Sequence, residues 1–287
     1  MSIPSADRDT LVELLRRPRY EVFPLEGVED EVAAHVPRDV KVTVTTSRAR
    51  GLERTLELAG ELARRGFEVV PHVPARLIAD GEQVKRILDR LGEIGVHDIL
   101  AIAGDADQPA GQFASALELL VTMSELGHGL DEIGITGYPE SHPFISDAQT
   151  IESMFEKAPF ATYVVSQLCF EPVVIAGWIT AVRARGTDLP IHIGIPGVVS
   201  RARLLRISTK VGVGESIRYL RKQRNVLARL LVRGGYTPSI LIRGLTPLLE
   251  EPENRIGGFH VFTFNELAET ERWRQETIRC LDRTAAL

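Results

Sequence analysis

Cysteine is scarce in this chain, with only Cys169 and Cys280 among 287 residues. Two thiols are too few for a disulfide framework and neither has a partner at metal-ligand spacing, so both read as buried free thiols in a reducing compartment. Long apolar runs are also missing. No window approaches ~18 uninterrupted apolar residues, which argues against a membrane-spanning helix. The start, MSIPSADRDT, lacks the basic residues and apolar core of a signal peptide, and a cytoplasmic location is the expectation. Basic blocks are absent, and the formal net charge is -5. A nucleic-acid surface needs a basic face, so small molecules are the expected ligands, with no nucleic-acid or membrane partner. No Pro-, Gly- or Ser-rich linker, low-complexity tract or break in composition interrupts the chain, which predicts a single domain over residues 1–287.

What is present is a repeated alternation of strand and helix patterns, in a chain that is 44% hydrophobic and 25% charged. After a helical pattern at Thr10–Arg17, Tyr20–Phe23 reads as a first strand with Glu21 embedded in it. Val40–Thr46 follows as a strand, Leu52–Arg65 as a helix ending at Gly66, Phe67–Val73 as a strand and Gly81–Gly92 as a helix. Asp98–Ala103 is a continuous apolar strand, Gln112–Leu126 a helix, and Glu132–Tyr138 a strand. Asp147–Lys157 is helical, Thr162–Phe170 strand-like, Val173–Arg185 helical, and Pro190–Ile195 a strand. The stretch from Gly197 to Gly258 reads as about three helices. Phe259–Phe264 is the last strand and Asn265–Arg283 the last helix. Such alternation demands a parallel sheet, because each crossover helix must cover a sheet face. A doubly wound dinucleotide fold would carry a Gly-rich turn after its first strand, whereas Tyr20–Phe23 runs into PLEGVED. With about eight strands, each followed by a helix, the predicted fold is a (β/α)8 TIM-type barrel.

In such a barrel chemistry gathers where strands end. The stretch EIGITGYPESHP is the clearest case, a short apolar strand that runs into Tyr138, Glu140 and His142, two residues apart. The polar residues at other predicted strand ends are Glu21, Thr45, His72, Asp105, Asp107, Gln167 and Asn265. Singly each has an ordinary structural explanation, in turns, caps or buried hydrogen bonds. Together they describe a wet, acidic pocket. No His-Glu-x-x-His motif or paired cysteine is present, so His72, His142 and Asp105 read as hydrogen-bonding groups and no metal is expected. A Ser-His-Asp mechanism is equally unsupported, since the Gly-x-Ser-x-Gly elbow is missing.

Several motifs occur in a familiar order: YEVFP at Tyr20–Pro24, VTVTT at Val42–Thr46, PHVPARL at Pro71–Leu77, AGDAD at Ala103–Asp107, GYPESHP at Gly137–Pro143, SQLCFE at Ser166–Glu171, IPG at Ile195–Gly197 and FHVFTFN at Phe259–Asn265. In these the chain resembles the methylenetetrahydrofolate reductase family over nearly its whole length. The resemblance implies a (β/α)8 barrel that reduces 5,10-methylenetetrahydrofolate to 5-methyltetrahydrofolate with NADH or NADPH, usually through FAD. It implies that Glu21 is the general acid, that Asp105 lies near the pterin, and that Gln167 contacts folate or nicotinamide. It also implies that Thr45, His72, Tyr138 and His142 line the flavin. The acid role has an independent physical sense. Opening the methylene-bridged ring requires protonation of a departing amine, best done by an acid whose pKa lies near 7, and the apolar neighbours of Glu21 are expected to raise it.

Two departures bear on the cofactor. Ala103 stands where the family has Arg before Gly-Asp, and the helix after GYPESHP reads SDAQTIESMFEK where flavin-binding members carry basic residues. A pyrophosphate needs cations or N–H donors, so tight FAD binding is not expected and direct hydride transfer from the nicotinamide is. Arg201, Arg203 and Arg206 follow the seventh strand and are candidates for a phosphate or a folate glutamate tail, or a solvated helix face. The alternatives are an FAD-relayed reductase, a deazaflavin-dependent one, and a pterin-binding or methyl-transfer barrel without nicotinamide chemistry. Retention of Glu21, Asp105 and Gln167 together favours the enzyme over a binding module.

Overall fold

The computed structural model describes residues 5–46, 50–140, 146–199, 238–249 and 251–285. Its strands are β1 (Arg19–Val22), β2 (Lys41–Val44), β3 (Val69–Pro74), β4 (Asp98–Ile102), β5 (Glu132–Gly137), β6 (Tyr163–Ser166), β7 (Ile191–Pro196) and β8 (Ile256–Phe262). All pair in parallel and in chain order, and β8 returns to β1, which closes the barrel. The helices are α1 (Ser5–Arg16), α2 (Val28–His35), α3 (Gly51–Arg64), α4 (Gly81–Glu93), α5 (Ala116–Leu126), α6 (Asp147–Lys157), α7 (Pro172–Ala184), α8 (Ser239–Leu249) and α9 (Leu267–Ala285). The predicted barrel is therefore the observed one. No described helix is long and apolar enough to cross a membrane.

Strand alternation divides the barrel into two environments. Val42, Val44, Ile99, Ile133, Ile135, Val164, Ile193, Phe259 and Val261 point outward and join the main core beneath the helices. Each such side chain contributes roughly 1.5–3 kcal/mol by leaving water. The inward positions hold a smaller apolar group of Val70, Leu100, Tyr163 and Val165, with charged residues below it. Arg19, Lys41, Asp98 and Glu132 each open their strands, so they share the N-terminal floor. Arg19 bonds Asp98 at 2.8 Å and Glu132 at 2.9 Å, while Lys41 Nζ lies 3.0 and 2.7 Å from the same two carboxylates. The Tyr163 hydroxyl donates to Asp98 at 2.7 Å, and the Arg19 guanidinium stacks on its ring, 4.0 Å from the centroid.

Local departures from the sequence reading have local causes. Helix α2 was not expected, because VEDEVAAH is short and buries only Val28 and Val32. The apolar run Thr162–Phe170 is a strand only over Tyr163–Ser166. Its later residues Leu168 and Phe170 are buried instead in a small rim cluster with Val199, against which Phe262 and Phe264 pack. Helix α5 begins at Ala116 rather than Gln112, where Ser115 and Glu118 form a capping box that ends the preceding loop. Cys169 is buried as expected, but Cys280 is exposed on α9, a correction to its reading as a buried thiol. Of the Gly197–Gly258 stretch, residues 200–237, with Arg201, Arg203 and Arg206, lie outside the described residues.

The floor generates a stability prediction. Arg19→Met removes the buried cation that bridges the Asp98 and Glu132 carboxylates, and loss of one member of such a pair typically costs ~3–5 kcal/mol. Urea unfolding of Arg19→Met should show a loss of that order. The double variant Arg19→Met with Asp98→Asn should recover part of it, because Lys41 then has one floor carboxylate, Glu132, to neutralise in place of two.

Candidate active site

Tyr20 and Val22 on β1 point outward, and the Tyr20 hydroxyl donates to Glu271 of α9 at 2.9 Å. Alternation therefore turns Glu21 into the barrel, one layer above Arg19. The sequence reading attributed its environment to its apolar chain neighbours. That attribution is corrected: those neighbours face the helices, and Glu21 meets the side chains of other strands. Its Oε2 lies 3.0 Å from Nε2 of His260 on β8 and 3.8 Å from Nε2 of His72 on β3. Burial raises the Glu21 carboxyl from 4.5 to about 7, against the opposing influence of His72. Burial also lowers His72 to about 4 and His260 to about 3, with Arg19 adding to the effect at His260. Near neutral pH the centre of the barrel thus holds two uncharged imidazoles around one carboxyl that can carry a proton.

The C-terminal end of β8 fixes this carboxyl's strand. The Thr263 hydroxyl donates to the Glu21 carbonyl at 2.6 Å. The Asn265 side chain accepts from Phe23 N at 2.8 Å and donates to Phe23 O at 3.1 Å. Asn265 reaches them with φ 57°, in the left-handed region where Asn is tolerated best among non-glycine residues. The Thr-x-Asn ending of the last strand is therefore a clamp across the closing seam of the barrel.

Asp105, Tyr138 and Gln167 follow β4, β5 and β6 on another arc of the rim. Gln167 N donates to Gly137 O at 2.7 Å, and its Oε1 is buried with no hydrogen-bond partner among the described residues. Tyr138 is half-buried and takes a hydrogen bond from the Thr136 hydroxyl at 3.1 Å. Its phenol is raised above the ordinary value, first by burial, with the Asp105 charge contributing. Thr45 continues the β2 ladder beside β1 through its N–H to Val22 O at 3.0 Å. His142 lies outside the described residues. The expected residues therefore fall into a deep cluster, Glu21 and His72, and a rim cluster of Asp105, Tyr138 and Gln167.

Sequence reasoning missed His260. It stood inside the quoted motif FHVFTFN, and alternation carries the signal: with Phe259 and Val261 in the outer core, His260 must face inward beside β1. The floor charges were missed for a related reason, as single charged residues at the starts of apolar strands. The Glu21, His72 and His260 donor atoms all lie within 4.8 Å of one another, a spacing that could hold a metal ion. Metal-bound histidines almost always donate their second ring nitrogen to a partner, and His260 Nδ1 has none among the described residues. The cluster is better suited to holding a proton.

The chain is 27% identical over 188 residues to a 5,10-methylenetetrahydrofolate reductase of Pectobacterium carotovorum subsp. carotovorum, covering 64% of this chain and 62% of the relative. It is 28% identical over 123 residues to methylenetetrahydrofolate reductase 2 of Saccharomyces cerevisiae, covering 39% of this chain and 20% of that protein. The chain thus spans less than two thirds of the length of the curated relatives it matches. The family model described as methylenetetrahydrofolate reductase matches residues 26–269, most of the sequence. On that match the protein belongs to the methylenetetrahydrofolate reductase family.

Proposed function

We propose that the protein reduces 5,10-methylenetetrahydrofolate to 5-methyltetrahydrofolate, taking the hydride directly from NADH or NADPH. The observation that carries this reading is the buried Glu21 carboxyl set between His260 and His72, where burial pushes its pKa up to about 7. Opening the methylene bridge breaks a C–N bond, and the departing amine takes the electron pair and must receive a proton. Glu21 donates it, and an acid does so best when its pKa lies near the working pH. The methylene carbon is left as a cationic iminium, which the Asp105 carboxylate stabilises electrostatically. Hydride from the nicotinamide brings two electrons to that carbon, forming the methyl group and the oxidised nucleotide, and water returns a proton to Glu21. Gln167, whose buried Oε1 has no partner among the described residues, and Tyr138 beside it hold the substrate. Thr45 and His72, together with Tyr138, Gln167 and, by the family resemblance, His142, line the cleft for the donor.

Helix α6 does not favour a tightly held FAD pyrophosphate. Helix α6 exposes Asp147, Glu152 and Glu156, and its one cation, Lys157, is buried. One of the donors at its N-terminus is engaged by the helix's own cap, where Ser146 accepts from Gln149 N. A diphosphate there would face Asp147 and Glu156, while the nearby Arg185 is already engaged with Glu152 at 3.1 Å. Direct transfer instead requires nicotinamide and folate together, with donor and acceptor carbons ~3–3.5 Å apart.

Two measurements test the reading. Glu21→Gln keeps shape and hydrogen bonds but has no proton to give, so turnover should fall at least ~10²-fold with stability retained. In the wild type, kcat/KM for reduction should be level below about pH 7 and decline above it as Glu21 ionises among His72, His260 and Arg19. That limb should vanish in Glu21→Gln, and its persistence there would remove Glu21 from the proton step. Initial rates varying both substrates should give intersecting lines. Parallel lines, or activity that depends on added FAD, would establish a flavin relay instead.

A further inference from the structure

The loop between β4 and α5, GDADQPAGQFAS, carries Asp105 and has no regular structure of its own. A segment so rich in Gly, Ala and Asp has many conformations available, and something must select one for Asp105 to act at a defined distance. The selecting contacts come from the stretch after β3. Arg76 Nε donates to Ala106 O at 2.7 Å, Nη2 to Asp107 O at 2.8 Å and Nη1 to Ala114 O at 3.1 Å. The backbone of the same stretch adds Arg76 N to Ala103 O at 3.0 Å, Ala110 N to Arg76 O at 2.9 Å and Gln112 N to Ala79 O at 3.0 Å. Close approach is built in on both sides. Gly104 has φ 86° with Pro74 Cβ 2.8 Å from where its own Cβ would be, and a Cβ on Gly111 would overlap the Ala79 carbonyl.

We propose that Arg76 is the positioning residue of the candidate active site: its guanidinium gathers both ends of the β4–α5 loop and thereby holds Asp105 against the substrate. The planar fork is essential, because its separate N–H groups point at three carbonyls from two parts of the loop. A lysine ammonium is a compact point donor on a flexible stem and cannot span them. Arg76 touches neither folate nor nicotinamide in this account. It rests on the reading of Asp105 as substrate-facing, and it explains why PHVPARL on one strand matters to AGDAD on the next.

The test is a double-mutant cycle in the full chain, read by the reduction of methylenetetrahydrofolate. Arg76→Met and Arg76→Lys should each lower kcat by up to ~10²-fold, the effect of misplacing a group by about 1 Å, with little change in the KM for the nicotinamide. Added guanidinium should restore part of the activity of Arg76→Met and none of that of Asp105→Asn. On an Asp105→Asn background, Arg76→Met should have almost no further effect, since residues acting through one contact are not additive. Amide hydrogen exchange should rise in residues 104–114 of Arg76→Met and stay unchanged in the strands. Wild-type turnover in Arg76→Met, or losses that multiply with those of Asp105→Asn, would overturn the proposal. A wild-type protein without reductase activity would instead refute the function on which it rests. In that case hydrogen exchange alone decides whether Arg76 orders the loop.

Discussion

Closure of the sheet between β1 and β8 is the constraint on which the rest of the molecule depends. Two strands from opposite ends of the chain must lie side by side, and their register pairs Tyr20 with Val261 and Glu21 with Phe262. Only this closure brings His260 to Glu21. The seam is then locked from above, by Thr263 on the Glu21 carbonyl and by Asn265 on both backbone groups of Phe23. The acid's position is thus set by the backbone that carries it as well as by its imidazole neighbours.

The barrel interior is layered by charge. Its floor consists of ion pairs that satisfy one another, its middle holds a carboxyl between neutral imidazoles, and its rim presents Gln167, Tyr138 and Asp105. Enclosing Glu21 has an energetic consequence with a definite sign. Its folded pKa of about 7 lies above its ordinary 4.5. The protonated acid is therefore the better-tolerated form in the fold. Stability from this group is fully present below pH ~4.5 and is lost as pH rises through about 7, by roughly 3 kcal/mol at 1.36 kcal/mol per unit. Stability is given up between about pH 4.5 and 7, the window in which the folded acid keeps a proton that the unfolded one releases, a trade common at sites of acid-base chemistry.

Much of this was legible in the sequence. The alternation of apolar strands and amphipathic helices, without a Gly-rich turn after the first strand, is enough to expect a closed parallel barrel. Glu21, embedded in a strand, announces itself because a carboxylate there has to be accounted for. The physical cause of its raised pKa was less accessible. Neighbours in sequence are not neighbours in space when successive side chains alternate between faces, and the enclosing groups come from β3 and β8. His260 was hidden for the same reason, inside a motif valued for its ending. Helix α2 and the true start of α5 were obscured by short length and by a cap that becomes evident only once the loop before it is placed. Apolar content alone misled at Thr162–Phe170, since a rim cluster and a strand use the same residues.

The central claim is that Glu21 holds a proton at neutral pH between two uncharged imidazoles. It is tested most directly by observing that carboxyl, using carbon-13 NMR of side-chain-labelled glutamate in wild-type protein and in Glu21→Gln as pH is varied. The account predicts one carboxyl resonance that titrates near pH 7 and is missing from the variant. If every glutamate resonance lost on substituting Glu21 titrates in the ordinary carboxylate range near 4.5, the buried acid does not exist in the form described and the account is contradicted.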